Sequence, residues 1–324
     1  MLYPLKFKTI YKEKIWGGSK IKSMLKQDFS PLSNCGEAWK ISGIEPESSV
    51  VSNGFLKGNT LNELAEIYMD DLLGEKVFKK FGEEFPLLIK FIDAQKDLSV
   101  QVHPDDKLSA EKHHGNGKTE MWYVIDAEPD ATLNIGFNRQ MNRQLLKEHI
   151  SQNRIIDVLN FVNVKAGDAV FIPSGKVHAI GKGILLAEIQ QSSDITYRLY
   201  DYNRKDENGK LRSLHVDDAL NAIHYNDADN ALISYSKQQN RTNNIVHSPF
   251  FVTNIIDFNQ SVEKIYTDMG SFVIYICLSG KAKIFYPNGE ETIQTGECIL
   301  MPADIEKAIF QPNTQCKMLE TYIE

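Results

Sequence analysis

Short runs of β-branched and aromatic residues, each closed by a turn residue, recur along nearly the whole chain. Pro86-Leu87-Leu88-Ile89-Lys90-Phe91-Ile92, Met121-Trp122-Tyr123-Val124-Ile125 and Phe272-Val273-Ile274-Tyr275-Ile276 are examples. Runs of this length and composition read as strands. Asn288-Gly289, between Ile284-Phe285-Tyr286 and Glu291-Thr292-Ile293, reads as a hairpin turn. Helical spacing is confined to residues 60–81, 139–150, 154–160 and 215–224. The expected fold is therefore mainly β with helical insertions. The Asn-, Asp-, Ser- and Gln-rich stretch 225–246 reads as a connection into a C-terminal β unit.

An internal recurrence supports that division. Gly167-Asp168 is followed by Pro173 and His178; Gly296-Glu297 is followed by Pro302 and Lys307 at the same offsets. Two copies of one β unit, with polar ligands kept only in the first, would explain this; so would two ordinary hairpins that happen to match. The first reading predicts a catalytic unit at 1–240 and a degenerate β unit at 241–324.

Within the first unit, polar residues interrupt apolar strands at a spacing of two, which places them on one face. Gln101 and His103 are such a pair, ended by Pro104. Lys118 and Glu120 are another, just before the Met121–Ile125 strand, and Glu188 and Gln190 a third. His178 is expected in a Gly- and Pro-punctuated turn between the strands Ala169–Pro173 and Ile184–Gln190. Two imidazoles, a carboxylate and an amide suit Zn, Mn, Fe or Co better than Mg or Ca. A single histidine in a strand is more often packed or exposed than metal-bound, and His113 and His114, in a polar loop, receive no role. Lys118 and Arg198 beside the candidate ligands point to an anionic substrate. Lys90, inside an apolar run, is either on a solvent face or a cation placed in a pocket.

The 324 residues, 42% of them hydrophobic, suffice for a large core. A net charge of −7 argues against general nucleic-acid binding, which needs a basic face. No apolar stretch approaches the roughly 20 residues of a membrane helix, and the first residues lack a signal-peptide pattern. Cys35, Cys277, Cys298 and Cys316 form no C-x-x-C pair, so neither a disulfide framework nor a cysteine zinc site is expected. These features together lead us to expect a cytoplasmic protein without nucleic-acid or membrane partners, monomeric or weakly self-associating.

Larger blocks carry a resemblance. Ile15-Trp16-Gly17-Gly18, Gly36-Glu37-Ala38-Trp39, Ser99-Val100-Gln101-Val102-His103-Pro104, Gly117-Lys118-Thr119-Glu120-Met121-Trp122, Ile172 through Ile180, and Glu188-Ile189-Gln190-Gln191-Ser192-Ser193-Asp194 through Asp201 stand in this order. In these blocks the chain resembles the type I mannose-6-phosphate isomerases (phosphomannose isomerases), in their short bacterial form. The resemblance runs from near residue 4 to about 220. It departs at Tyr202, where many relatives have Trp, and at Lys176.

The resemblance implies a cupin jelly-roll barrel with a helical insertion and a second, degenerate cupin-like unit. It implies one Zn2+ per chain on Gln101, His103, Glu120 and His178, and an active-site arginine at Arg198. The implied reaction interconverts mannose 6-phosphate and fructose 6-phosphate through a cis-enediol. In that reaction Arg198 would stabilise the enediolate or steer the phosphate, and Lys118 would assist ring opening or move a proton. Glu188 is the leading candidate for the base, with Lys118 or a metal-bound water as the alternatives. Lys90, Ser99 and Asp194 are the candidate substrate contacts. Two rival readings are a two-histidine, one-carboxylate iron oxygenase and a non-catalytic or altered-specificity sugar-phosphate-binding cupin. Gln101 as a fourth ligand argues against the first, and the presence of every ligand together with Arg198 argues against the second.

Overall fold

The computed structural model describes residues 2–205, 209–225 and 232–324. Strands dominate it. The first part of the chain forms β1 (Ile10–Lys12), β2 (Glu37–Ser42), β3 (Leu87–Ala94), β4 (Val100–Val102), β5 (Glu120–Ala127), β6 (Thr132–Phe137), β7 (Leu159–Asn163), β8 (Ala169–Ile172), β9 (His178–Ile180), β10 (Ile184–Gln191) and β11 (Tyr197–Tyr200). They pair as two sheets, β1-β2-β3-β10-β5-β8 and β11-β4-β9-β6-β7. The last part forms β12 (Thr242–His247), β13 (Val252–Phe258), β14 (Val262–Ile265), β15 (Val273–Ser279), β16 (Lys281–Tyr286), β17 (Gly289–Gln294), β18 (Cys298–Met301), β19 (Lys307–Pro312) and β20 (Cys316–Tyr322). These pair as β12-β13-β20-β15-β18 and β14-β19-β16-β17.

The two pairing patterns are the same. The order β3-β10-β5-β8 recurs as β13-β20-β15-β18, and β4-β9-β6-β7 recurs as β14-β19-β16-β17. Gly167 and Gly296 turn with φ of 88° and 81°, β8 and β18 follow, and Pro173 and Pro302 end them. His178 opens β9 as Lys307 opens β19. The fold is thus a cupin-type barrel followed by a second, cupin-like one, both built from antiparallel jelly-roll sheets.

Alternation along the central strands explains how the barrels meet. In β10, Ile184 and Leu186 point into the first barrel, while Leu185, Ala187 and Ile189 point outward. That outward face joins one core with Ile274 and Ile276 of β15 and Leu319 of β20. In β15, Val273, Tyr275 and Cys277 instead fill the second barrel. β10 is therefore buried on both faces, so a polar residue on its inner face has no route to bulk water except through the barrel.

Several expected boundaries shift, each for a local reason. The 60–81 pattern is broken twice: α2 (Leu61–Leu73) kinks at Met69, where φ is 43°, and Gly74 at φ 91° separates it from α3 (Glu75–Phe81); α1 (Lys20–Ser23) precedes both. Thr60 and Glu63 form a reciprocal capping box that starts α2. The sequence pattern missed α4 (Asp106–His113), since Ser109 is its buried residue and no apolar stripe marks it. The 139–150 pattern becomes α5 (Arg143–Ser151), capped by Asn142. The 154–160 pattern is only a 3-10 turn at Ile155–Val158 before β7, and the last helix is α6 (Val216–Ala222). In the β16–β17 hairpin, Tyr286 pairs with Gly289; the loop residues are Pro287 and Asn288, one position earlier than expected. β12 starts inside the stretch read as a connection, of which residues 226–231 lie outside the described residues.

Candidate active site and metal centre

Register, more than local sequence, assembles the site. Across the first sheet, Trp39 pairs with Lys90, Lys90 with Glu188, and Glu188 with Trp122, so these side chains form one row on the inner face. One step along, Gln190 pairs with Glu120. In the opposing sheet Gln101 pairs directly with His178. His178 is not in a turn as expected: it opens the three-residue strand β9, too short to leave a periodic signal.

His103, Glu120 and His178 converge, each buried, with ligand atoms all within 4.8 Å of one another. His103 Nε2 lies 3.4 Å and His178 Nε2 3.5 Å from the Glu120 carboxylate. The far nitrogen of each ring is occupied: Nδ1 of His103 donates to the Ile195 carbonyl at 2.9 Å, and Nδ1 of His178 to the Lys176 carbonyl at 2.8 Å. Those bonds fix the tautomer in which both Nε2 lone pairs face the carboxylate, the usual arrangement behind a metal-bound histidine. Gln101 completes the set, its amide 3.3 Å from His178 Nε2; an amide flip brings its oxygen to the same point.

The electrostatics match a metal site. Burial first, then the Lys118 ammonium, pushes His103 down to about 3, so it stays neutral, and burial lowers His178 as well. Burial also raises the Glu120 carboxyl, but the Lys118 ammonium beside it outweighs burial and holds it well below the usual range. Both Glu120 oxygens are buried without a hydrogen bond; the Lys118 ammonium, 3.2 Å from Oε2, offsets part of that cost, and a divalent ion between the three ligands would satisfy both oxygens. Two neutral imidazoles, one carboxylate and one amide in this state fit a divalent ion such as zinc.

Beside this group lies a cavity of about 340 Å³ lined by Lys12, Lys14, Trp16, Glu37, Trp39, Lys90, Ser99, Gln101, Lys118, Glu188, Asp194, Arg198 and Arg212, among others. All the residues expected at the site therefore border either the cavity or the metal group. Lys118 touches both: its Nζ is 3.2 Å from His103 Nε2 and 3.2 Å from Glu120. Lys90 is on the inner face, 3.1 Å from Glu188. Burial raises the Glu188 carboxyl against the pull of Lys90, and Trp122 Nε1 donates to its other oxygen at 3.0 Å. Ser99 is buried and Asp194 exposed at the mouth. Arg198 donates Nη1 to the Ser213 carbonyl, leaves Nε without a partner, and has no carboxylate within 4.0 Å among the described residues.

Sequence reasoning missed Glu37, Lys12, Lys14 and Arg212 as cavity residues. Glu37 had a signal, two positions before Trp39 and so on the same strand face; the other three reach in from strand ends and loops, where no periodicity marks them. A larger cavity, about 530 Å³, lies between the barrels around Leu25, Tyr123, Ile255 and Leu278; among the described residues no group of metal-ligating side chains borders it. In the second barrel Asn254, Glu320 and Tyr275 occupy the row matching Lys90, Glu188 and Trp122. The positions matching Glu120 and His178 are Val273 and Lys307, so that barrel lacks the metal group.

The chain is similar to several known proteins. The family model described as "Phosphomannose isomerase type I, catalytic domain" matches residues 4–136. Mannose-6-phosphate isomerase ManA of Bacillus subtilis is 46% identical over 68% of this chain and 68% of its own. The mannose-6-phosphate isomerase of Streptococcus mutans is 36% identical over 94% of each. A crystal structure of the mannose 6-phosphate isomerase from Bacillus subtilis superimposes with a TM-score of 0.89 at 33% identity, covering 99% of both chains. With the buried His-Glu-His group in place inside the first barrel, this chain belongs to the type I phosphomannose isomerase family.

Proposed function

We propose that the protein interconverts mannose 6-phosphate and fructose 6-phosphate through a cis-enediol, with one zinc ion per chain. The single observation that carries this reading is the pre-set ligand group: two neutral imidazoles and an ionised, unbonded Glu120 carboxylate, opening beside a cavity rich in cations. His103, Glu120, His178 and Gln101 would hold the zinc, which supplies Lewis acidity toward the sugar oxygens.

The chain's own groups divide the remaining work. Proton transfer between C2 and C1 needs a base whose proton affinity lies near neutrality. Glu188 has an affinity raised by burial and sits on the inner face of the cavity wall. It removes the C2 proton and returns it at C1, so no net proton is consumed. Arg198, which has no carboxylate within 4.0 Å among the described residues, stabilises the enediolate or steers the phosphate. Lys118 moves a proton during ring opening. Ser99 and Asp194 contact the substrate; Lys90, expected with them, has its flanks occupied by carboxylates. Residues 1–240 would form the catalytic unit and 241–324 its ligand-free counterpart, in a cytoplasmic setting.

The test is a coupled assay of fructose 6-phosphate formation from mannose 6-phosphate, before and after chelation and with zinc added back. Turnover lost on chelation and restored by zinc is expected. No turnover from zinc-loaded protein would overturn the proposal.

A further inference from the structure

We propose that Lys90 is a positioning residue that holds the Glu188 carboxylate in its proton-accepting form, and that Glu37 tempers this hold by sharing the same ammonium. The inference rests on the assignment of Glu188 as base, and it gives Lys90 a role other than direct contact with the substrate.

The observation is a buried chain of alternating charge. Glu188 Oε1 lies 3.1 Å from Lys90 Nζ, and Lys90 Nζ lies 4.0 Å from Glu37 Oε2. Glu37 Oε1 lies 3.0 Å from Lys14 Nζ. Indole donors fix the two carboxylates: Trp122 Nε1 reaches Glu188 at 3.0 Å and Trp39 Nε1 reaches Glu37 at 2.8 Å. Lys90 itself is only 5% exposed and lies over the Trp39 ring at 5.2 Å. A lysine shared by two carboxylates presents little net charge to a phosphate. Its effect is exerted on its partners.

The sign of that effect follows from who faces Glu188. On β3 it faces Lys90; on β5 it faces Trp122, with Lys118 and Glu120 farther along. Behind Lys90 stand Glu37 and Lys14, and across the cavity lie Arg198, Arg212, Lys12 and Asp194. Burial favours the protonated carboxyl; Lys90 is the largest opposing influence. Glu37 draws on the same ammonium, and Lys90 and Lys14 outweigh burial to hold its carboxyl down at about 2, so it stays charged and keeps competing. Removing Lys90 must make Glu188 hold its proton to higher pH. Removing the charge of Glu37 must do the opposite, because the whole of Lys90 then acts on Glu188.

The experiment is the pH profile of kcat/KM for zinc-loaded wild type, Lys90→Met, Lys90→Arg, Glu37→Gln and Glu188→Gln. The substrate's own phosphate titrates identically in all of them, so differences between profiles belong to the protein. The acid limb is expected to move up by about one pH unit or more in Lys90→Met, down by a smaller amount in Glu37→Gln, and back toward wild type in Lys90→Arg. A purely structural role would lower the whole profile without moving its limb, and that result overturns the inference. Glu188→Gln separates the two readings. Near-normal turnover there removes Glu188 as base, whereas loss of turnover with unmoved limbs in the other variants removes only the positioning role. If Lys90→Met does not fold, Glu37→Gln decides alone: a limb shifted down supports the inference and an unmoved limb overturns it.

Discussion

Replacing Glu120 by Gln in metal-free protein removes the carboxylate that pairs with the buried Lys118 ammonium. Lys118 Nζ is 3.2 Å from Glu120 Oε2, with side-chain exposures of 6% and 0%. Removing one member of such a buried pair typically costs about 3–5 kcal/mol, because the partner's charge remains without compensation. Glu120→Gln is therefore expected to lose about that much in urea unfolding of chelator-treated protein. Lys118→Met adds the discriminating arm. If most of the loss comes from the stranded ammonium, the double variant recovers a large part of it, giving a coupling energy of about 1–3 kcal/mol. The pH dependence has a definite sign. The folded Glu120 carboxyl lies below its unfolded value of about 4.3, so its contribution is present above that pH and lost as pH falls toward the folded value. Zinc adds stability to wild type by mass action and should add little to Glu120→Gln. A loss under about 1 kcal/mol, or a double variant as unstable as the summed singles, would refute the reasoning that Lys118 depends on Glu120.

Three further outcomes are expected. Arg198→Ala should lose turnover by about a hundredfold or more while zinc content, measured by atomic absorption, is unchanged; loss of metal instead would reassign the residue. Zinc affinity measured against a competing chelator should change little between about pH 5.5 and 7, since burial lowers both His103, to about 3, and His178, and Glu120 is already ionised; a tenfold weakening per pH unit would show a protonated ligand. Gly74→Ala should destabilise the fold by more than about 1 kcal/mol, because Gly74 has φ 91° and a Cβ there would lie 2.4 Å from the Gly270–Ser271 backbone; an unchanged thermal midpoint would refute that.

Much of the site was legible because strands repeat every two residues. Gln101 with His103, Lys118 with Glu120, and Glu188 with Gln190 all stood out as polar pairs at that spacing, and the structure brings each pair to the first barrel's interior. The misses have equally local causes. His178 sits on a three-residue strand, below the length at which alternation can be recognised. α4 turns on a buried serine and shows no apolar stripe. Lys14 and Arg212 reach the cavity from outside the regular strands. The recurrence of one Gly turn, strand and Pro in the second half was visible; the repeated strand order was not. That its matching row holds Asn254, Glu320 and Tyr275 required the pairings.

The sequence by itself determined which faces are apolar, which residues are polar on those faces, and where the chain turns, because each of these depends on neighbours one to four positions away. The tertiary structure decided everything that depends on pairing across the sheet. Trp39, Lys90, Glu188 and Trp122 are scattered over some 150 positions, and only the register of β2, β3, β10 and β5 sets them in one row. The chemistry of Glu188 and Glu120 came with that register. Both carboxylates lie on inner strand faces withdrawn from water, yet one is raised and the other lowered, and what separates them is the charges that distant strands bring alongside.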